Sequence, residues 1–150
     1  MGLPEFAAQS IQSEISLGVL YGLRININIV SRKDNKDMVS IVLQGSTVSL
    51  KVLGFHKFLA LKSQIQFNKN NIRNIKIAEK SLRPPWFRCP GTSLPGFISA
   101  GTYLGKGKKE FWDRIYKKEA IEIELKNEEY TKIVVNVENP EEIIKLLKMG

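Results

Sequence analysis

The sequence predicts a mainly β domain that is closed by one C-terminal α-helix. Apolar residues alternate with polar residues over several short segments, as they do in half-buried strands, and turn residues separate these segments. After the last such segment the spacing of apolar residues becomes helical, behind a capping signal at Asn139. Several short strands with a single amphipathic helix are typical of a small barrel or sandwich.

The first 37 residues differ in character from the rest of the chain. Three apolar residues recur there at a loose helical spacing: Ile11, Ile15 and Val19. The segment from Leu23 to Ile29 instead alternates as a strand does, and the polar run from Ser31 to Asp37 indicates a linker or an exposed loop. We therefore expect an N-terminal extension over residues 1–37 and one folded domain over residues 38–150.

A hairpin opens this domain. Residues 39–43 and 48–52 alternate, and Gln44-Gly45-Ser46 supplies the turn between them. Residues 58–67 predict another strand, which ends at the turn formed by residues 68–71, and a short strand is expected around Ile75 and Ile77.

Proline and glycine interrupt the centre of the chain at Pro84-Pro85, Pro90-Gly91 and Pro95-Gly96. Because proline lacks a backbone donor and glycine leaves the backbone loose, these pairs exclude a continuous helix and favour irregular loops with short strands. Residues 97–104 then alternate, and a lysine-rich loop over residues 105–109 leads into the next apolar segment. The pattern predicts a hairpin with a basic tip.

The last third of the chain contains the clearest pattern. Residues 121–125 and 133–137 alternate around a polar turn, which predicts a third hairpin. Asn139 then stands at the N-cap of a helix, Pro140 takes its first position, and Glu142 occupies the place of a capping-box carboxylate. Three apolar residues share one face of this helix and should pack on the sheet: Ile143, Leu146 and Leu147.

Composition narrows the class of protein. The chain has 150 residues, of which 43% are hydrophobic, so one core can form. Cys89 is the one cysteine in the sequence, so no disulfide within the chain is expected, and we expect a reducing, cytoplasmic location. No apolar run approaches the roughly 18 residues that a membrane-spanning helix needs, and the N-terminus lacks the pattern of a secretory signal.

The net charge of +8 is unevenly distributed. Residues 1–50 are balanced, residues 51–118 carry fifteen basic and three acidic side chains, and residues 119–150 carry four basic and eight acidic ones. A basic middle and an acidic end are compatible with an anionic partner, with complementary faces on neighbouring subunits, or with solvated surface.

Several motifs in the second half resemble bacterial PH-like domains of the pleckstrin-homology superfamily. The similar strings are Leu82-Arg-Pro-Pro-Trp86, Pro90-Gly-Thr-Ser-Leu-Pro-Gly96, Ser99-Ala-Gly-Thr-Tyr103, Lys109-Glu-Phe-Trp112 and Ala120-Ile-Glu-Ile-Glu-Leu125. The likeness extends over residues 38–150. It implies a bent antiparallel barrel of about seven strands, capped by the C-terminal helix, and it implies no shared activity, because folds of this kind bind lipids, peptides, proteins or copies of themselves.

The residues that carry most chemistry in proteins are scarce in this sequence. His56 is the one histidine and has no nucleophile-elbow pattern beside it, and one Cys with one His falls short of four zinc ligands. Glu122 and Glu124 point to the same side of a predicted strand, but the apolar residues between them favour an outer, solvated face. We therefore expect no enzyme, no metal, no cofactor and no small-molecule substrate.

Binding is the remaining class of function. The first hypothesis is a non-catalytic binding or assembly module that contacts another protein or itself through strand edges and complementary charge. The alternative is a module for anionic ligands, either an acidic membrane surface or nucleic acid. The candidate anion-binding residues are Arg83, Arg88, Lys106, Lys108 and Lys109.

Overall fold

The computed structural model describes residues 26–29, 39–52, 64–85, 87–94 and 96–149. These residues form two β-sheets and one α-helix, which confirms the mainly β class with a C-terminal helix. The predicted barrel of about seven strands is wrong, because the described strands lie in two separate sheets of four and six strands.

The first sheet is antiparallel, with neighbouring strands in chain order. It contains β1 (Asn26–Ile29), β2 (Val39–Gln44), β3 (Thr47–Val52) and β4 (Gln64–Asn68). The predicted opening hairpin is confirmed, with the turn at Gly45-Ser46 between β2 and β3. The backbone of β1 pairs with β2, so part of the N-terminal extension joins this sheet. The helical spacing at residues 11–19, the linker at residues 31–37 and the first part of the strand expected over residues 58–67 lie outside the described residues.

The second sheet has the strand order β5-β9-β10-β8-β7-β6. Its strands are β5 (Ile72–Ile77), β6 (Phe87–Leu94), β7 (Ile98–Gly105), β8 (Lys108–Ile115), β9 (Ala120–Leu125) and β10 (Lys132–Asn136). A 3-10 helix over Lys69–Asn71 leads from the first sheet into the second. The two predicted hairpins, β7 with β8 and β9 with β10, are both confirmed.

The place of β10 departs from a simple antiparallel order. It lies between β8 and β9, antiparallel to β9 and parallel to β8. The connection from β8 to β9, residues 116–119, therefore passes over the end of β10. Asn136 lies at that end with 3% of its surface exposed, and its side chain binds the backbone of the connection.

The Asn136 amide uses both its acceptor and its donor there. Its Oδ1 accepts a hydrogen bond from the backbone N–H of Ile115, and its Nδ2 donates to the carbonyl oxygens of Ile115, Lys118 and Glu119 at 3.2, 3.2 and 2.8 Å. Buried backbone groups need such partners, since an unpaired one costs about 1–3 kcal/mol. The amide thus replaces the strand pairing that the connection cannot make.

One hydrophobic core joins both sheets and the helix. Alternate residues of β2, β3, β4, β8, β9 and β10 face it, as the period-2 pattern requires. The helix α1 (Pro140–Lys148) adds Ile143 and Leu147, with Leu146 partly buried against the same core, so the predicted packing of its apolar face is confirmed. Asn139 is the N-cap residue, but it has a left-handed backbone with φ of 47° and makes no side-chain capping bond. Its carbonyl oxygen accepts from Glu142 and Ile143 instead.

A second, smaller cluster lies on the other face of the six-stranded sheet. It contains Trp112 and Tyr103, which meet edge to face, together with Ala78, Ala120 and Val134. The strap, which we define as residues 78–85 between β5 and β6, covers this cluster with Leu82. Since β5 and β6 are the two edges of the sheet, the strap crosses roughly 24 Å, or five strand spacings.

The strap is fitted closely to the sheet at both ends. Ala78 donates its backbone N–H to the carbonyl oxygen of Ala120 at 2.8 Å. At the other end, Pro85 lies so close to Gly105 that a Cβ on this glycine would be 2.7 Å from the Pro85 Cβ. A larger residue at position 105 would therefore displace the strap.

The strand β6 corrects the expectation of irregular loops in the centre of the chain. It runs through Pro90-Gly91, with a register shift between Arg88 and Gly91 in its pairing with β7. Proline is tolerated because β6 is an edge strand, where the missing N–H need not pair with a neighbour. The shift and the proline also interrupt the outer edge, which disfavours pairing with another strand along its length.

Replacing Asn136 tests the role of its amide. We expect Asn136→Ala to lower the free energy of unfolding by about 2–3 kcal/mol, because several backbone groups of the β8–β9 connection lose their partner. Urea unfolding followed by tryptophan fluorescence measures this loss. The control is Asn74→Ala on β5, an exposed residue, which should change stability by less than about 0.5 kcal/mol. Equal effects of the two substitutions would contradict the assignment.

Candidate functional site

The basic tip is the turn between β7 and β8. Lys106 and Gly107 both have positive φ, 50° and 72°, as a tight two-residue hairpin turn requires. Lys106 and Lys108 are exposed there. Lys109 differs, since its Nζ lies 2.6 Å from Glu129 Oε1 and 4.9 Å from the centre of the Tyr130 ring. Two of the three lysines therefore present their charge to solvent, while the third is paired.

The two candidate arginines lie on other elements, Arg83 in the strap and Arg88 on β6. The Arg83 guanidinium lies over the ring of Tyr116, 4.2 Å from its centre, and Tyr116 follows the opposite end of β8 from Lys108. The backbone of Arg88, on the edge strand β6, pairs with Tyr103, two residues before the end of β7 that leads into the tip. Arg83 thus lies at the opposite end of β8 from the tip, whereas the backbone of Arg88 lies near the tip. His56, Trp86 and the side chains of Arg88 and Cys89 lie outside the described residues.

Arg114 is a buried cation that holds the strap. Its Nη2 donates to the carbonyl oxygen of Glu79 at 2.8 Å and its Nη1 to that of Leu82 at 3.2 Å. Its guanidinium also lies 4.9 Å from the centre of the Tyr116 ring, on which Arg83 stacks as well. Burial lowers the pKa of Arg114, and the charge of Arg83 adds to this, whereas Tyr116 acts in the opposite direction. Arg114 therefore binds the strap to the sheet, a structural role that the sequence patterns did not predict.

Glu122 corrects another expectation. The alternation places it on the face away from the main core, and that direction is confirmed, since Ile121 and Ile123 are fully buried in the core. The predicted solvated position is wrong, because only 3% of Glu122 is exposed. Its carboxylate lies 2.7 Å from Lys132 Nζ and 3.5 Å from Lys76 Nζ. The long lysine side chains on both flanking strands cover it.

The protonation of Lys132 follows from this environment. Burial by itself would lower the pKa of Lys132, but its hydrogen bond to Glu122 and the negative charges of Glu122, Glu110 and Glu124 outweigh burial. The pKa is therefore raised above its ordinary value of 10.5. Glu110 is itself buried and accepts a hydrogen bond from Trp112 Nε1 at 3.0 Å. Glu122 thus forms ion pairs with Lys132 and Lys76 on this face of the sheet, and Glu110 forms a separate hydrogen bond with Trp112.

Two of the most exposed large apolar side chains among the described residues lie on one turn, which we call the apolar turn. It joins β6 to β7, and its two ends are Leu94 and Phe97, which are 58% and 66% exposed. The Phe97 N–H donates to the carbonyl oxygen of Leu94 at 3.0 Å, and Gly96 has the positive φ of 80° that such a turn needs. Two large apolar side chains thus project from one turn into solvent. Large residues on both sides of Pro95-Gly96 were the sequence signal for it.

Tyr116, the residue that follows β8, contacts the Phe97 end of this apolar turn. The carbonyl oxygen of Phe97 accepts from the backbone N–H of Tyr116 at 3.1 Å, and the Tyr116 hydroxyl lies 2.8 Å from Ser99 Oγ. Arg83 stacks on Tyr116, and exposed Lys117 follows it in the chain. Phe97 is therefore bound to Tyr116 through its backbone, and the basic side chain of Arg83 lies over the Tyr116 ring.

Two further features were sought in the part of the chain that is described, a group of metal ligands and a membrane-spanning helix. Within these residues, no three His, Cys, Asp or Glu side chains are grouped as metal ligands would be. Among the same residues, no helix is both long and apolar enough to cross a lipid bilayer. The surface features that remain are the basic tip, the apolar turn and the grooves beside the helix.

The raised pKa of Lys132 predicts a pH dependence of stability. A lysine whose pKa is raised by folding stabilises the folded state fully below its ordinary pKa, and this contribution is lost as pH rises through the folded-state pKa. We expect Lys132→Met to lower the free energy of unfolding by about 1–3 kcal/mol near neutral pH. The difference from the parent chain should shrink above pH 10.5.

Urea unfolding across this pH range measures the effect. The control is Lys51→Met, which removes an exposed lysine from β3 and should leave stability unchanged at every pH. A difference for Lys132→Met that stays constant far into the alkaline range would contradict the interpretation.

Comparison with known proteins gives no match for this chain. No family model matches the sequence, no curated protein is similar to it, and no solved structure is similar to the fold. We therefore infer function from the described surface features and their chemistry.

Proposed function

We propose that this chain is a non-catalytic, cytoplasmic binding module related to PH-like domains. It functions by binding other proteins, primarily a second copy of itself. The observation that carries the proposal is the exposed turn with Leu94 and Phe97 at its ends. Single exposed apolar residues are common on proteins, but large ones grouped on a projection are typical of contact surfaces.

The backbone contacts of Phe97 support this function. A contact surface that is already ordered loses little conformational entropy when it binds, so more of the buried apolar area contributes to affinity. The backbone hydrogen bonds of Phe97 to Leu94 and Tyr116 supply that order. An aromatic residue at the end of the turn is also the residue type that most often dominates binding energy.

Strand pairing between subunits is the weaker route to association. The outer edge of β6 is interrupted by Pro90 and by the register shift beside it. The opposite edge, β5, also contains a register shift, between Ile72 and Asn74, and residues 72–75 line a groove with Leu147 and Lys148 of the helix. Side-chain contacts at the apolar turn avoid both obstacles.

Sedimentation velocity over a wide range of concentrations tests the proposal. We expect the chain to form a defined oligomer, and the double substitution Leu94→Ser with Phe97→Ser to weaken its association about tenfold or more. The control is Leu104→Ser, which removes a partly exposed leucine from the other end of β7. A chain that stays monomeric at every concentration would overturn self-association.

The basic tip supports a second candidate function, binding of an anionic ligand such as nucleic acid or an acidic membrane. The specific observation is that Lys106 and Lys108 are exposed on both sides of one tight turn. Charge of this kind binds phosphate groups without sequence readout, and its affinity falls steeply with salt.

Binding to oligonucleotides and to vesicles with acidic lipids at low and moderate salt tests this candidate. Changing Lys106, Lys108 and Lys109 together to Ala should weaken binding about tenfold if the tip is the site. Lys145→Ala with Lys148→Ala on the helix is the control, since both lysines are exposed. No binding of either probe at low salt would end this alternative.

A further inference from the structure

A basic groove lies between the edge strand β5 and the last turn of α1, and we call it the β5–α1 groove. Its volume is about 300 Å³, which is at the lower end of the range for small-ligand pockets. Three cationic residues line it, one each from the 3-10 helix, β5 and α1: Lys69, Arg73 and Lys148. No acidic side chain is among the described residues that line this groove.

Lys69 is held at the C-terminal end of α1. Its Nζ donates to the carbonyl oxygen of Leu146 at 3.3 Å and to that of Met149. These carbonyls carry the partial negative charge of the helix end, so the ammonium compensates this charge within the groove. A lysine has three N–H donors, and one donor of Lys69 therefore remains for a ligand.

Arg73 is placed by the irregularity in β5. The register shifts between Ile72 and Asn74, so Arg73 has no counterpart on β9. An extra residue of this kind redirects a side chain, and such bulges are common next to binding sites. Arg73 is exposed, and its guanidinium can donate two parallel N–H groups to one phosphate. Asn70 and Asn74 line the same groove with amides that can also donate.

The apolar part of the groove strengthens its attraction for an anion. Ile75 and Leu147 belong to the core, and they are 2% and 3% exposed where they line the groove. A wall of low dielectric beside cations concentrates their electric field. A negative charge bound there is thus attracted more strongly than it would be by the same cations on an open surface.

The acidic residues near the groove are engaged elsewhere. Glu128 Oε1 accepts a hydrogen bond from Asn71 Nδ2 at 2.7 Å, on the 3-10 helix. Glu124 lies opposite Asn74 in the sheet, and its negative charge acts on Lys132 of β10. Neither glutamate lines the groove.

We propose that the β5–α1 groove binds a small phosphorylated ligand, with Arg73 and Lys69 holding the phosphate. Several cations favour a ligand with more than one negative charge, and a phosphate monoester carries about 1.5–2 at pH 7. The groove is separate from the basic tip, because β9 and β10 lie between β5 and β8. It is also separate from the apolar turn, which joins β6 to β7 at the opposite edge of the sheet.

Calorimetric titration of the full chain with pyrophosphate, at low and moderate salt, tests the site. We expect saturable binding that weakens with salt, and Arg73→Gln to weaken it about tenfold or more. Because Arg73 is exposed, this variant should keep the urea unfolding curve of the parent chain. The control is Lys51→Gln, which removes one exposed positive charge from β3 and should leave pyrophosphate binding unchanged.

The NMR shifts of backbone amides show where pyrophosphate binds. Shifts at Arg73 and Asn74, without shifts at Lys106 and Lys108, support the groove. The proposal is overturned if pyrophosphate instead shifts the amides of the basic tip, or if no saturable binding occurs at low salt. Self-association through the apolar turn stands or falls separately in each case.

Vesicles of phosphatidylcholine with phosphatidic acid distinguish two sources of the phosphate. Vesicle binding that falls with Arg73→Gln assigns the groove to a lipid head group. Pyrophosphate binding that falls with Arg73→Gln, while vesicle binding does not, assigns it to a soluble ligand. If Arg73→Gln changes neither, the groove is not a phosphate site.

Discussion

The fold depends on one constraint, which is the insertion of β10 between two strands that precede it in the chain. The connection from β8 to β9 must pass over the end of β10, and it has no strand beside it to bind its backbone groups. The amide of Asn136 has both an acceptor and a donor, and it forms hydrogen bonds with backbone groups at both ends of this connection. The insertion of β10 completes a six-stranded sheet whose edges are β5 and β6, and the strap crosses this sheet from one edge to the other.

The sequence revealed local structure better than strand order. Alternation at Val48–Val52 and at Ile121–Leu125 predicted buried faces that the structure confirms, because the period of a strand is a property of neighbouring residues. The parallel pairing of β8 with β10 involves residues about twenty positions apart in the chain, and no local pattern encodes it. The barrel that the family resemblance implied was wrong because the described strands divide between two sheets. Local patterns also missed β6, whose edge position alone explains why Pro90 fits in a strand.

The functional surface was only partly visible in the sequence. The lysines at the basic tip were found because they are adjacent in the chain, and two of them are exposed as expected. The buried position of Glu122 was missed because its cover, Lys76 and Lys132, comes from two other strands. The apolar turn had a local signal, large residues on both sides of Pro95-Gly96, but only the fold brings Tyr116 to Phe97 and Arg83 to the Tyr116 ring.

The position of β10 also has a consequence for biosynthesis. While the ribosome is still making residues 132–136, the facing edges of β8 and β9 have no native partner, so the central part of the large sheet stays open. Nascent β8 and β9 therefore expose unpaired backbone N–H and C=O groups along these edges during a stage at which aggregation competes with folding. The pairing of β8 with β10 forms only after β10 has been made, and such non-local pairing favours slow folding.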